Sequence, residues 1–179
     1  MENIEFHRNK YIERYNINWL IDEIASGKEH TYVTFWQADE GCENRMFCQW
    51  YAHPFTINGR KYDTAEQYMM SEKALLFGDL DSYKAIMNEP SPKICKQLGR
   101  QVKNFDSSVW NAAFKEIIFH GNLGKLQSDA EFMDELLSTG EAVLIEAILR
   151  GPAFQPVSGH WCEVRQPVHK SITCRVPVV

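Results

Sequence analysis

The chain of 179 residues lacks any apolar run of the length a bilayer-spanning helix needs, and its opening, Met1 to Phe6, is acidic and without the apolar core of a signal peptide. Export by that route and embedding in a membrane are not expected; a cytoplasmic location is. No CxxC pair occurs among the five cysteines, Cys42, Cys48, Cys95, Cys162 and Cys174, and their odd number suits no closed disulfide framework. Reduced thiols are the simpler reading. Cys42, Cys48, His53 and Cys162 match no common zinc spacing, so no metal is expected. Gly121 and Gly124 lack the strand, lysine and hydroxyl that make a phosphate loop, and no Ser-His-Asp signature or internal repeat is present. A net charge of -5 argues against non-specific wrapping of a nucleic-acid backbone, while leaving room for a local basic patch that holds phosphates.

Apolar residues at 44% and charged residues at 24% make a chain that folds, and its length suits one domain. Residues from Tyr11 to Ser26 carry apolar side chains at mixed spacings of three and four, which predicts an amphipathic helix. Thr31 to Trp36 is β-branched and aromatic and reads as a strand. Asn58-Gly59 between short β-like runs predicts a tight hairpin, because both residues tolerate positive φ. Thr64-Ala-Glu-Gln67 has the form of a capping box, with a helix running from it to Phe77 and stopping at Gly78. Asp79 or Asp81 can cap a second helix, and Ser91-Pro92 a third that ends at Gly99. Asp106 or Ser107 opens a longer helix through Ile118, and Ser128 or Asp129 opens another to Gly140. Ala142 to Ala147 reads as a buried strand, with a helical continuation left open. Beyond Ile148 four prolines and little periodicity predict loops and at most one edge strand. The fold class expected is α+β, a mainly helical single domain with a small β-sheet. Its parts are a helical extension (1–30), the main body (31–147) and a loop-rich tail (148–179).

On the first capped helix Glu66, Met69, Met70, Lys73 and Phe77 share one face. A carboxylate and an ammonium two turns apart among methionines are an unusual surface, although a glutamate favourable to the helix dipole plus an exposed lysine would explain both. A nearby lysine favours the ionised carboxylate and burial opposes it. Arg100, after Gly99, supplies a guanidinium suited to phosphate, and Trp110 a ring suited to stacking. Each has a plain alternative, a cation at a helix C-terminus and a core aromatic.

Taken in order, Cys48 to Phe55, Asn58-Gly59, Tyr62 to Asp79, Leu98-Gly-Arg100, Trp110 and Leu136 to Ala147 together resemble the NADAR family, also called YbiA-like, over Tyr32 to Ala147. The resemblance implies an α+β fold and cleavage of an N-glycosidic bond between a phosphorylated ribose and a base-like amine. The substrates it implies are riboflavin-pathway intermediates or ADP-ribosyl-guanine, the latter carried on DNA. It implies no cofactor. By motif, Glu66 and Lys73 match catalytic positions, with Lys73 and Arg100 holding phosphate. Trp50, Tyr51, Trp110 and Gln67 match substrate-binding positions. Gln67 stands where family members usually have His. After Ala147 the family usually continues with an Asp-Arg and Trp-Gly segment, and here Ile148 to Trp161 replaces it, with no aspartate after Asp134. That departure keeps a catalytically silent nucleotide-binding module in play beside the hydrolase. A helical protein-interaction domain is a third expectation, one that predicts no nucleotide affinity.

Overall fold

A computed structural model describes residues 16–149 together with strand residues 162–165 and 171–175. Helix α1 (Ile17–Ala25) starts at Asn16, whose side chain accepts from the backbone N–H groups of Asn18 and Trp19. The part of the expected N-terminal helix before Asn16 lies outside the described residues. Strand β1 is Tyr32–Phe35. A 3-10 turn, Arg45–Phe47, precedes a hairpin of β2 (Phe55–Ile57) and β3 (Arg60–Tyr62). Four helices follow in succession, α2 (Ala65–Leu76), α3 (Leu80–Met87), α4 (Pro92–Arg100) and α5 (Ser107–Gln127), then α6 (Ala130–Ser138). Strand β4 (Val143–Leu149) removes the helical alternative for that segment. The tail contributes two strands, β5 (Cys162–Arg165) and β6 (Ser171–Arg175), where at most one was expected. The architecture is α+β and mainly helical.

The described residues fall into two compact units. One holds 16–36, 41–44 and the described residues from Thr139 onward; the other holds 37–40 and 45–138. In the first unit a four-stranded sheet has the order β1-β4-β6-β5. Strands β1 and β4 are parallel, Tyr32 opposite Val143 and Phe35 opposite Glu146, whereas β6 runs antiparallel to both β4 and β5. Leu20 of α1 and Ile145 of β4 are buried against each other with Trp19, Tyr32 and Val143 around them. Each such aliphatic side chain contributes on the order of 2 kcal/mol by leaving water.

The second unit has two apolar centres. Met70 and Ala74 of α2 meet Ile86 of α3, Cys95 of α4 and Val102. Phe55 and Tyr62 of the hairpin meet Tyr68 of α2. Asn58 and Gly59 both have positive φ, 51° and 76°, as a two-residue hairpin requires. Three glycines within helices allow close approach rather than a stop. A Cβ on Gly99 would lie 2.0 Å from Met70 Sδ, and one on Gly121 2.6 Å from the Tyr68 ring. One on Gly124 would lie 2.6 Å from Ile57. Gly99 was expected to end α4, and instead it sits inside that helix; the demand there is steric, because α4 lies directly on Met70. For the same reason α5 continues through Gly121 and Gly124 to Gln127.

Candidate active site

Helix α2 brings the expected residues to one element. Thr64, in extended backbone, accepts from the Gln67 N–H at 3.1 Å, which closes the first turn. The reciprocal half of the capping box differs from expectation. Gln67 Oε1 accepts from the Asp63 N–H at 2.7 Å, and its Nε2 donates to the carbonyls of Ile86 and Glu89, each at 3.1 Å. The carbonyls at the end of α3 draw the amide away from Thr64. Both polar ends of the Gln67 side chain are therefore engaged by main chain, and it serves the site by clamping the start of α2 to the end of α3.

That clamp holds Glu66, which is 2% exposed. Its backbone N–H donates to Gln49 O at 3.1 Å, and its Oε2 accepts from Trp50 Nε1 at 3.1 Å. Its Oε1 lies 3.9 Å from Lys96 Nζ, an ammonium that also stands 5.5 Å from the centre of the Trp50 ring. The helix N-terminus adds a favourable dipole for the negative charge. A buried carboxylate with an indole donor on one oxygen and a cation near the other is held in orientation, a setting in which charge can be stabilised without reorganisation.

Two turns further along the same face, Lys73 lies 4.3 Å from the Phe105 ring centre and 5.3 Å from that of Trp110. Burial, then the positive charge of Arg100, holds the Lys73 amine below the usual lysine range. The two cations, Lys73 and Arg100, repel each other, and an anion between them relieves the repulsion. Arg100 itself is exposed and Trp110 half-buried. Phe105 is presented by a loop that Asp79 tethers, its Oδ2 accepting from the Lys103 N–H at 2.9 Å. Glu66 and Lys73 are seven positions apart, about 10 Å along the axis.

Of the residues singled out in the sequence, Glu66 and Trp50 meet directly, and Lys73, Arg100 and Trp110 form a second group. Tyr51 goes elsewhere: its ring centre is 5.7 Å from that of Phe132, with the Arg45 guanidinium 5.5 Å from it. Lys96 and Phe105 are additions. Lys96 was discoverable, since it stands one turn before Arg100 on the same face of a capped helix; Phe105 sits in a loop with no periodic signal. The lysine beside the carboxylate is thus Lys96, on α4, rather than Lys73 of its own helix. An open groove of 590 Å³ runs along Pro54 to Ile57 and the end of α5, and neither Glu66 and its partners nor the Lys73 group lines it. Among the described residues no group of three His, Cys, Asp or Glu is arranged to hold a metal, and no helix is long and apolar enough to cross a membrane. Cys42 and Cys95 are free thiols.

Comparison with known proteins gives consistent results. N-glycosidase R617 of Acanthamoeba polyphaga mimivirus is 38% identical over 122 residues, which cover 65% of this chain and 72% of the viral protein. Protein irg-1 of Caenorhabditis elegans is 32% identical over 89 residues, covering 49% of this chain and 42% of the nematode protein. In fold the chain is similar to the NMR structure of the E. coli protein YbiA, with a TM-score of 0.57 at 23% identity, over 66% of this chain and 67% of that one. The NADAR domain model matches residues 34–151, a span that contains Trp50, Glu66, Lys73, Lys96, Arg100 and Trp110, and the chain belongs to the NADAR domain family.

Proposed function

We propose that this chain is a hydrolase that cleaves the N-glycosidic bond of a ribosyl-phosphate or ADP-ribosyl conjugate, with Glu66 at the reacting carbon. The observation that carries this reading is the setting of Glu66, a buried carboxylate oriented by Trp50 and Lys96 at the start of a helix whose other end gathers two cations and two rings. The activity named for the mimiviral relative supports the reaction class. As the C1′–N bond breaks, its electron pair leaves with the base, and positive charge builds on the ribose. Glu66 stabilises that charge and takes a proton from the water that bonds to C1′; the leaving nitrogen receives a proton in turn. Lys73 and Arg100 hold phosphate, and Trp110, with Phe105, offers a face for stacking. Water is the one co-reactant. Riboflavin-pathway intermediates and ADP-ribosyl-guanine on DNA are the substrates to test.

A second reading, a module that binds ADP-ribose or a related nucleotide without cutting it, is favoured by one observation: no aspartate follows Asp134, so the acid that family members usually carry after the Ala147 position is absent as such. Release of free base from ADP-ribosyl-guanine DNA and from a ribosylamino-pyrimidine phosphate decides between the two. Turnover by the wild type that disappears in Glu66→Gln supports the hydrolase. Tight ADP-ribose binding with no turnover on either substrate supports the module.

A further inference from the structure

Lys125 is 1% exposed, and the mechanism above does not use it. Its surroundings explain how it came to be inside. Gly121 and Gly124 let the last turns of α5 lie on Tyr68 and on Ile57, and Lys125 follows immediately. Its ammonium donates to Met46 O at 2.9 Å and to Cys48 O at 3.0 Å. Burial pushes its amine down to about 8, with the Cys48 thiol acting in the opposite direction. Burying an ammonium costs several kcal/mol, and packing alone would be served as well by a methionine of similar length. What a lysine adds at this position is a pair of donors aimed at two carbonyls of one turn.

Those carbonyls belong to the segment that reaches the candidate site. The turn Arg45–Phe47 closes with the Cys48 N–H on Arg45 O at 3.0 Å. Cys48 Sγ then accepts from the Trp50 N–H at 3.5 Å, Gln49 O accepts from the Glu66 N–H at 3.1 Å, and Trp50 Nε1 reaches Glu66 Oε2. One residue, Gln49, separates the last carbonyl held by Lys125 from the indole that orients the carboxylate. The segment Cys48 to Pro54 has no strand or helix of its own, so its path depends on such tethers.

We propose that Lys125 is a positioning residue: by gathering the carbonyls of Met46 and Cys48 it sets the path of residues 46–50 and so presents the Trp50 indole to Glu66. The inference rests on the reading of Glu66 as the carboxylate of a glycosidase only for its kinetic consequence; the structural part stands on the tether itself.

The test uses Lys125→Met, which keeps the length and removes the donors, and Lys125→Gln, which keeps a shorter one. In both, the indole N–H resonance of Trp50, assigned by its loss in Trp50→Phe, is followed in the full chain. In Lys125→Met it is expected to move to the position it takes in Glu66→Ala, with partial return in Lys125→Gln. With base release as the second readout, kcat is expected to fall about tenfold while KM changes little, the pattern of a displaced orienting group. In a Trp50→Phe background Lys125→Met should cost no further turnover, because both changes break the same link. An unmoved resonance in folded Lys125→Met, or losses that simply multiply, would overturn the proposal. Collapse of the fold in both Lys125 variants would also overturn it, by assigning the residue to the core at large. The resonance needs no substrate, so a wild type that releases no base would sink the glycosidase reading and leave the positioning claim to be decided separately.

Discussion

The two ends of helix α2 are built differently. At its start Glu66 is 2% exposed, accepts from an indole, and rises from a turn locked by Thr64 and by the bonds of the Gln67 side chain to main chain. Near its finish Lys73 is half-buried and meets aromatic rings and a like-charged neighbour, and the rings come from a loop and from the start of α5. Hydrogen bonds fix angle and distance, whereas cation–ring contact and charge repulsion fix neither. A reacting group needs the first kind of support. A phosphate or ring contact works with the second, because attraction to an anion varies slowly with position. The contrast teaches that one helix can carry both tasks when its N-terminal turn is clamped and its C-terminal turn is left accessible.

Four variants break or sharpen this contrast. The largest expected effect is that of Glu66→Gln, a change of one charge at constant shape: kcat should fall 10²-fold or more, about 3 kcal/mol in the barrier, with KM and the thermal midpoint little altered. Base-release kinetics check it, and retention of full turnover would remove the carboxylate from the chemistry. Gln67→Leu should come next. It strands the Asp63 N–H and the carbonyls at the end of α3, and urea unfolding should show a loss on the order of 3 kcal/mol, together with reduced activity of the folded fraction.

Lys73→Met tests the other end. Here KM, or the Kd for ADP-ribose by calorimetry, should rise about tenfold, about 1.4 kcal/mol, with a smaller fall in kcat. Stability without ligand should hold or improve, since the repulsion with Arg100 is gone. A fall in kcat matching that of Glu66→Gln would erase the division between the two ends. The smallest effect concerns Asp79, whose carboxyl the Lys103 N–H and then Ser82 hold down from 3.8 to about 2. Because the folded value is the lower one, this stabilisation is present above pH 4 and is lost as pH falls towards 2. In Asp79→Asn the thermal midpoint should therefore decline less steeply across that window. An unchanged slope would release the Phe105 loop from the tether assigned to it.

Much of this organisation was legible beforehand wherever the deciding interactions are local. The Asn58-Gly59 hairpin and the starts of α2, α3, α4 and α5 follow from side chains that bond to backbone within three residues, so Thr64, Asp79, Ser91 and Asp106 could be recognised as caps. Gly99 misled because a glycine in a helix signals either a stop or a close neighbour, and only Met70 beside it distinguishes them. Gln67 misled in a similar way. Its place in the capping motif was visible, but the Ile86 and Glu89 carbonyls that claim its amide lie about twenty residues away. Periodicity put Lys96 on the face of Arg100 but did not name the carboxylate it meets, and neither the periodicity nor the chemistry of Tyr51 says which ring it meets.

Residue order alone determined the helix starts, the hairpin turn, the shared face of Glu66 and Lys73, and the likeness to the NADAR family, because propensity, capping and periodicity act over a few residues. Tertiary structure decided which cation stands beside Glu66, which ring donates to it, and that Lys125 lies buried beneath the segment bearing that ring. Those outcomes depend on contacts between residues 16 to 79 positions apart, where many partners are chemically equivalent and packing selects one.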